Sequence, residues 1–132
     1  MTIVDSGRTT MRGYLEGLVS RGQFAHYFTD DVVLEIVGAD QGARGRQAVE
    51  ATIRYMHEQA FDSRLDVKSL LVDGERAALE AEFVARHVGE FADKPASGRE
   101  VRVPYMVIYD LAADRIAALR IYGFMDILVR QL

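Results

Sequence analysis

The segment ARHVGEFADKPASGREVRV, residues 85–103, organises the β-rich half of this chain. Its apolar alternation stops at Gly89, a loop containing Pro95 and Gly98 follows, and the alternation resumes at Val101. Glycine and proline are typical of turns, whereas a period of two is typical of strands. The stretch therefore predicts a strand, an outward loop and a returning strand.

The strands on either side of this loop have distinct faces. Apolar residues between Ala77 and Val88 alternate with Glu80, Glu82 and Arg86, which fall on the opposite face. Pro104 cannot donate a hydrogen bond to a neighbouring strand, so it predicts an edge or a bulge in the strand after the loop. The pattern predicts four consecutive strands at about 65–72, 77–88, 101–109 and 115–124.

The first half of the chain is predicted to be helical, with one early strand. An apolar stripe runs from Met11 through Tyr14 to Val19 at helical spacing, and Gly22 can end this helix. A short aromatic helix, a β-branched strand, a glycine-rich connection and a third helix follow at 23–29, 32–37, 38–45 and about 46–60. His26 and His57 lie among polar residues of these helices, so both are predicted to be on the surface.

Helices followed by a run of long strands indicate an α+β fold in a single domain, residues 1–132. We expect one curved, mostly antiparallel sheet with the three helices over its concave face. A sheet that curves around helices which do not fill it leaves an apolar pocket for a small molecule.

Composition excludes several classes of function. The formal net charge is −4 over 132 residues, so the chain has no basic field for nucleic acid. The absence of cysteine excludes disulfides and thiolate metal sites, and three scattered histidines predict no metal site of any kind. The first residues lack the pattern of a signal peptide, and no apolar segment is long enough to cross a bilayer. We therefore expect a cytoplasmic protein that needs no cofactor and binds no membrane.

Several segments together carry a resemblance to a known family. They are FTDDVV at 28–33, GRQAV at 45–49, the block at 87–101, and the ends at 120–122 and 131–132. In their order and spacing they resemble the SnoaL-like branch of the nuclear transport factor 2-like superfamily, which includes ketosteroid isomerases and polyketide cyclases. The resemblance implies a cone-shaped α+β barrel with one deep apolar cavity, usually in a homodimer. It does not imply one activity, because this fold carries many.

The resemblance also allows catalytic positions to be compared with the steroid isomerases and the limonene-epoxide hydrolases. Where the isomerases have a carboxylate base, this chain has Ile36, but Tyr14 falls at the position of their phenol donor and Tyr105 near their second donor. The hydrolases' last-strand aspartate corresponds to Phe124, with Asp126 two residues on. Tyr14 also lies on the apolar stripe of its helix, so it can equally be a core tyrosine.

The polyketide cyclases use an aspartate and a histidine to move protons. Val107 stands where many relatives have histidine or aspartate, whereas His87 is retained. An imidazole exchanges protons near neutral pH, so His87 can act as a proton shuttle, or it can simply steady the 90–98 loop. Glu82 is placed on the polar face by strand alternation but near the catalytic positions by the family pattern.

Three functions remain open from the sequence. The first is a cofactor-free isomerase or cyclase acting on a carbonyl compound, the second a non-catalytic binder of an apolar metabolite, and the third a dimerising scaffold. The predicted catalytic residues are His87, Tyr14, Glu82 and Asp126. The predicted pocket residues are Phe28, Leu34, Ile36, Met56, Tyr105, Val107, Tyr122 and Phe124.

Overall fold

The computed structural model describes residues 3–132, with side chains from Ser6 onward, so the first two residues of the predicted domain lie outside the described residues. The elements in chain order are α1 (Ile3–Val19), β1 (Phe28–Ile36), β2 (Gln41–Arg44), α2 (Arg46–Arg54), β3 (Phe61–Asp73), β4 (Arg76–His87), β5 (Glu100–Ala112), β6 (Arg115–Tyr122) and α3 (Met125–Arg130). The predicted α+β class is confirmed.

One six-stranded sheet has the order β2-β1-β6-β5-β4-β3. All neighbours are antiparallel except β1 and β6, which run parallel. The pairing register of β3 with β4 shifts between Val67 and Ser69, so Lys68 is an extra residue at a bulge in this edge strand. The sheet is open, with the short β2 at one edge and the long β3 at the other.

Helix α1 packs on the inner face of the sheet through its apolar stripe. Met11, Tyr14 and Leu18 are buried, whereas Val19, the last predicted member of the stripe, is 49% exposed. Arg21 adopts a left-handed backbone with φ of 58°, and the Gly22 N–H donates to the Gly17 carbonyl at 2.9 Å. This six-to-one hydrogen bond is the Schellman arrangement that ends a helix.

Several predicted boundaries in the first half were wrong. The short aromatic helix is only a 3-10 turn, Ala25–Tyr27, and β1 begins at Phe28. Phe24 and Phe28 are both buried against Tyr14, so core packing rather than helix propensity sets the path of the chain here. Within the predicted glycine-rich connection, Gln41–Arg44 pairs with β1 as a short hairpin.

The loop after β4 is hydrogen-bonded to Ala60, which lies between α2 and β3. The N–H groups of Val88 and Gly89 both donate to the Ala60 carbonyl at 2.9 Å. A Cβ on Gly89 would lie 2.4 Å from the Gln59 carbonyl oxygen, so only glycine fits this approach. The predicted break at Gly89 is therefore a point of close backbone contact.

The chain end differs from the prediction, because the last strand stops at Tyr122 and the six-residue α3 follows. Gly123 has φ of 71°, a conformation that suits glycine, and it turns Phe124 back toward the interior. In β5, Pro104 lies beyond the last pair with β6, Met106 with Tyr122. The predicted edge at Pro104 is thus present locally, although β5 is an interior strand.

No helix among residues 3–132 has the length and apolar character needed to span a bilayer.

Candidate functional site

An apolar cavity of about 50 Å³ lies between the inner face of the sheet, α2 with the turn that follows it, and Phe124 just before α3. Among its polar side chains, the Thr52 hydroxyl donates to the Ala48 carbonyl at 2.9 Å and is therefore occupied within its own helix. The lining residues are Leu34, Ile36, Thr52, Ile53, Met56, His57, Phe83, Tyr105, Ile121 and Phe124. The cavity lining contains one imidazole and one phenol but no carboxylate.

A π-helical turn, Tyr55–Gln59, places the imidazole at the cavity. Helix α2 runs directly into this turn, and the Ala60 N–H donates to the Tyr55 carbonyl at 2.7 Å, five residues back. Such turns often occur at functional sites because they redirect side chains relative to a regular helix. Met56 and His57 both line the cavity, so the predicted surface position of His57 was wrong.

His57 is held from the side of β3. The Ser63 hydroxyl oxygen lies 3.0 Å from Nδ1 of His57 and 3.1 Å from the His57 backbone carbonyl oxygen. The His57 ring also packs edge-on against Phe83, with 5.4 Å between ring centroids. Desolvation, followed by the positive charge of Arg21, lowers the pKa of His57 to about 4. The imidazole is therefore neutral at neutral pH.

Tyr105 brings the phenol to the same cavity. Its ring packs on Phe124, with 4.9 Å between centroids. Burial raises the pKa of Tyr105 well above its ordinary value, so its hydroxyl stays protonated and can donate a hydrogen bond. A neutral base and a neutral donor thus share one apolar space.

Tyr14 is buried in the core and is not among the residues that line the cavity. Its ring contacts Phe24, Phe28 and Tyr109 at centroid distances of 5.9, 5.5 and 5.8 Å. Burial raises the pKa of Tyr14, the nearby Tyr105 adds to this effect, and a hydrogen bond from Tyr109 opposes it. Tyr14 is therefore a core phenol outside the cavity lining.

His87 lies outside the cavity lining and is fully buried. The Ser97 backbone N–H donates to Nδ1 of His87 at 3.2 Å, the Ser97 hydroxyl lies 2.9 Å from the same nitrogen, and the ring stacks on Phe61. Nε2 of His87 has no hydrogen-bond partner in the part of the chain that the structure describes. These contacts tie the loop after β4 to the end of that strand.

The two predicted carboxylates lie apart from the cavity. Glu82 is on the outer face of the sheet, 3.3 Å from the Arg102 guanidinium. Asp126 is exposed in the first turn of α3. The structure therefore does not bring His87, Glu82 and Asp126 together.

Five of the eight predicted pocket residues line the cavity, namely Leu34, Ile36, Met56, Tyr105 and Phe124. Phe28 and Val107 are buried in the adjoining core. Tyr122 is paired with Met106 on the outer face, because successive residues of β6 point to opposite sides of the sheet. Ile121 takes the inward position instead.

A signal for His57 was present in the sequence. The cavity residues Ile53, Met56 and His57 continue the apolar spacing of Val49 and Thr52 at i, i+3, i+4, i+7 and i+8. The polar residues beside His57 concealed this placement. Among residues 3–132, no group of three or more histidine, aspartate or glutamate side chains could hold a metal ion.

A family model described as SnoaL-like polyketide cyclase matches residues 10–131 of the chain. The chain belongs to the SnoaL-like family. The matched segment runs from α1 to α3, so the helix that covers the end of the cavity is part of it. A search of curated proteins gave no match to this SnoaL-like chain.

Solved structures share the fold of this SnoaL-like protein. A protein from Jannaschia sp. CCS1, provisionally named a SnoaL-like polyketide cyclase, has a TM-score of 0.83 at 19% identity, covering 98% of this chain and 92% of its own. One from Silicibacter sp. TM1040, provisionally named a polyketide cyclase, has a TM-score of 0.84 at 16% identity, covering 96% and 95%. One from Kribbella flavida, provisionally named a ketosteroid isomerase, has a TM-score of 0.69 at 23% identity, covering 92% and 79%. At these identities the likeness shows the fold alone.

Proposed function

We propose that this SnoaL-like protein is a cofactor-free acid–base catalyst that isomerises or cyclises a small, largely apolar carbonyl compound. The observation that carries the proposal is the pair formed by His57 and Tyr105, a neutral imidazole and a protonated phenol on one apolar cavity. His57, rather than the predicted His87, is the proton acceptor in this proposal, since His87 lies outside the lining.

The chemistry requires one proton to move twice. Nε2 of His57 takes a proton from the carbon beside the carbonyl, and the C–H electron pair moves to the carbonyl oxygen as an enolate. The Tyr105 hydroxyl donates a hydrogen bond to that oxygen, where the negative charge develops. In an isomerisation, the imidazolium then returns the proton to another carbon of the enolate. In a cyclisation, the enolate first attacks a second carbonyl, and the imidazolium gives the proton to the alkoxide that forms.

The low pKa of His57 is compatible with these two proton transfers. The imidazole is unprotonated before the substrate reacts, because the apolar surroundings disfavour its charged form. Once the enolate forms, its negative charge favours the imidazolium, so the proton is held only while the intermediate exists. The apolar walls strengthen both interactions by excluding water.

The size of the cavity bears on the substrate. A volume of about 50 Å³ is well below the roughly 300 Å³ at which ligand pockets ordinarily begin. We propose that the flexible Met56 side chain and α3, which follows Gly123, move to admit the substrate. Methionine adapts readily to new shapes, and α3 is only six residues long.

The test is proton exchange in heavy water. A panel of β,γ-unsaturated cyclic ketones is incubated with the protein, and deuterium uptake and conversion to the conjugated ketone are followed by NMR. We expect His57→Gln to reduce the rate at least roughly 100-fold and Tyr105→Phe to reduce it less. Glu82→Gln, on the outer face, is the matched control and should leave the rate unchanged. Equal rates for the parent and His57→Gln would contradict the proposal.

Binding without turnover is the second candidate function. The cavity lining is almost entirely apolar and has no carboxylate, which suits an apolar metabolite held in place. Ligand-induced increases in melting temperature without any deuterium exchange would favour this function over catalysis.

We also propose that a second copy of the chain covers the outer face of the sheet. Leu71 and Tyr122, 70% and 41% exposed, lie on one groove there with Arg76 and Arg120. Asp110 lies beside both arginines, so the groove carries charges of both signs. A twofold related copy can therefore bring opposite charges together across an apolar centre.

A further inference from the structure

The contacts of Ser63 determine which nitrogen of His57 carries the proton. One hydroxyl hydrogen faces two potential acceptors, Nδ1 of His57 at 3.0 Å and the His57 carbonyl oxygen at 3.1 Å. A carbonyl oxygen can only accept a hydrogen bond, whereas Nδ1 accepts or donates according to its tautomer. If the hydroxyl donated to Nδ1, no hydrogen would lie between the Ser63 oxygen and the His57 carbonyl oxygen. The two oxygens would then repel each other.

Only one arrangement makes both contacts into hydrogen bonds. In that arrangement the Ser63 hydroxyl donates to the His57 carbonyl and Nδ1–H of His57 donates to the Ser63 oxygen. The lone pair of the neutral ring is then on Nε2. A free histidine side chain prefers the opposite tautomer, so this state has to be imposed by the fold.

Ser63 is itself fixed by Arg21, whose charge also acts on His57. The Arg21 guanidinium, just beyond α1, donates to the Ser63 carbonyl at 2.9 Å and also to the Asp62 carboxylate. Arg21 thereby holds the beginning of β3 against the end of α1. Its positive charge also disfavours a second proton on the imidazole. The other charged side chain beside His57 in the turn is Glu58, which is paired with Arg54 at 2.8 Å.

We propose that Ser63 is a positioning residue that fixes His57 in the Nδ1–H tautomer and so directs the basic Nε2 lone pair to the cavity. The inference deepens the proposed function and rests on it for its catalytic consequence. Ser63 touches no reacting atom, and it acts only through His57. The tautomer itself is a property of the protein alone and is measured without substrate.

The experiment is nitrogen-15 NMR of the histidine rings in the full-length protein. We expect His57 as the Nδ1–H tautomer and His87 as the Nε2–H tautomer, because the Ser97 backbone N–H donates to Nδ1 of His87. The resonances are assigned by their loss in His57→Gln. In Ser63→Ala the His57 signals should move toward the Nε2–H pattern, and Ser63→Thr, which keeps a hydroxyl, should restore the parent pattern.

Turnover supplies the second measurement. If the proposed function holds, Ser63→Ala should lower kcat roughly 10-fold or more with little change in KM, and Ser63→Thr should recover most of it. An Nε2–H tautomer for His57 in the parent, or identical spectra for the parent and Ser63→Ala, would overturn the positioning role. The expected tautomer together with no turnover by the parent would instead overturn the proposed function and support the tautomer assignment.

Discussion

The side chain of Gln131 completes the backbone hydrogen bonding of Arg102. The Arg102 N–H donates to Oε1 of Gln131 at 2.8 Å, and Nε2 of Gln131 donates to the Arg102 carbonyl at 2.7 Å. Strand β6 has already ended at this level of β5, so the amide takes the place of a neighbouring strand. The contact anchors the end of α3, and Phe124, the residue just before this helix, lines the cavity.

Removing this contact should loosen α3. We expect Gln131→Ala to lower the free energy of unfolding by about 1 kcal/mol and to accelerate amide hydrogen exchange at Arg102 and along α3. Gln131→Glu is the matched control, since it still accepts from the Arg102 N–H but cannot donate to the carbonyl. Exchange rates in α3 that are the same in all three proteins would show that the amide does not hold the helix.

His57 should make stability depend on pH. Its pKa falls from 6.5 in the unfolded chain to about 4 in the folded protein, so between these pH values the unfolded state binds more protons. Stability is therefore full above pH 6.5 and falls as the pH drops toward 4, by at most about 3 kcal/mol. Urea unfolding at a series of pH values in the parent and in His57→Gln measures this directly. The variant should lack this part of the slope, and equal slopes would refute the assignment.

Gly89 should tolerate no side chain. We expect Gly89→Ala to cost about 3 kcal/mol, because the new Cβ would press on the Gln59 carbonyl, a backbone atom that cannot move aside alone. Gly38→Ala is the control. Its φ is 85° but nothing lies within 4 Å of the new Cβ, so only about 1 kcal/mol of backbone strain is expected. Thermal unfolding of both variants compares a steric cost with a conformational one, and equal losses would contradict the close approach at Gly89.

The outer face of the sheet should control assembly. Met106 is 47% exposed beside Tyr122, and a charge there would be buried without a partner in a dimer. We expect Met106→Glu to shift the protein from dimer to monomer in sedimentation experiments. Val19→Glu, an equally exposed site on α1, should leave the mass unchanged. A monomeric parent would refute the proposed homodimer.

Local pattern predicted the long strands well and the cavity less well. The faces of β4 followed from alternation, because this strand buries one side only and a slip of one residue would expose its apolar set. The start of β1 was missed since burial of Phe28 against Tyr14 depends on a distant helix. The six-residue α3 is too short to show a helical period in the sequence. The buried residues Phe124 and Leu128 do have a helical spacing of four residues.

The site was harder to predict because its members come from separate segments. His57 had the correct helical spacing, but its polar neighbours in the sequence outweighed that signal. Its partner Ser63 lies six residues on, in a different element, and the contact exists only because a π-helical turn precedes β3. Tertiary placement of this kind has no counterpart in a local pattern.

The bulge at Lys68 interrupts the pairing edge that β3 exposes. Strand β3 is thirteen residues long and leaves one full row of amides and carbonyls without a neighbouring strand. An exposed edge strand of that length is a template for fibre growth. The extra residue interrupts the regular hydrogen-bonding pattern of this edge near its middle and places the ammonium group of Lys68 there. We expect deletion of Lys68 to restore an uninterrupted template and to promote aggregation, although this residue does not line the cavity.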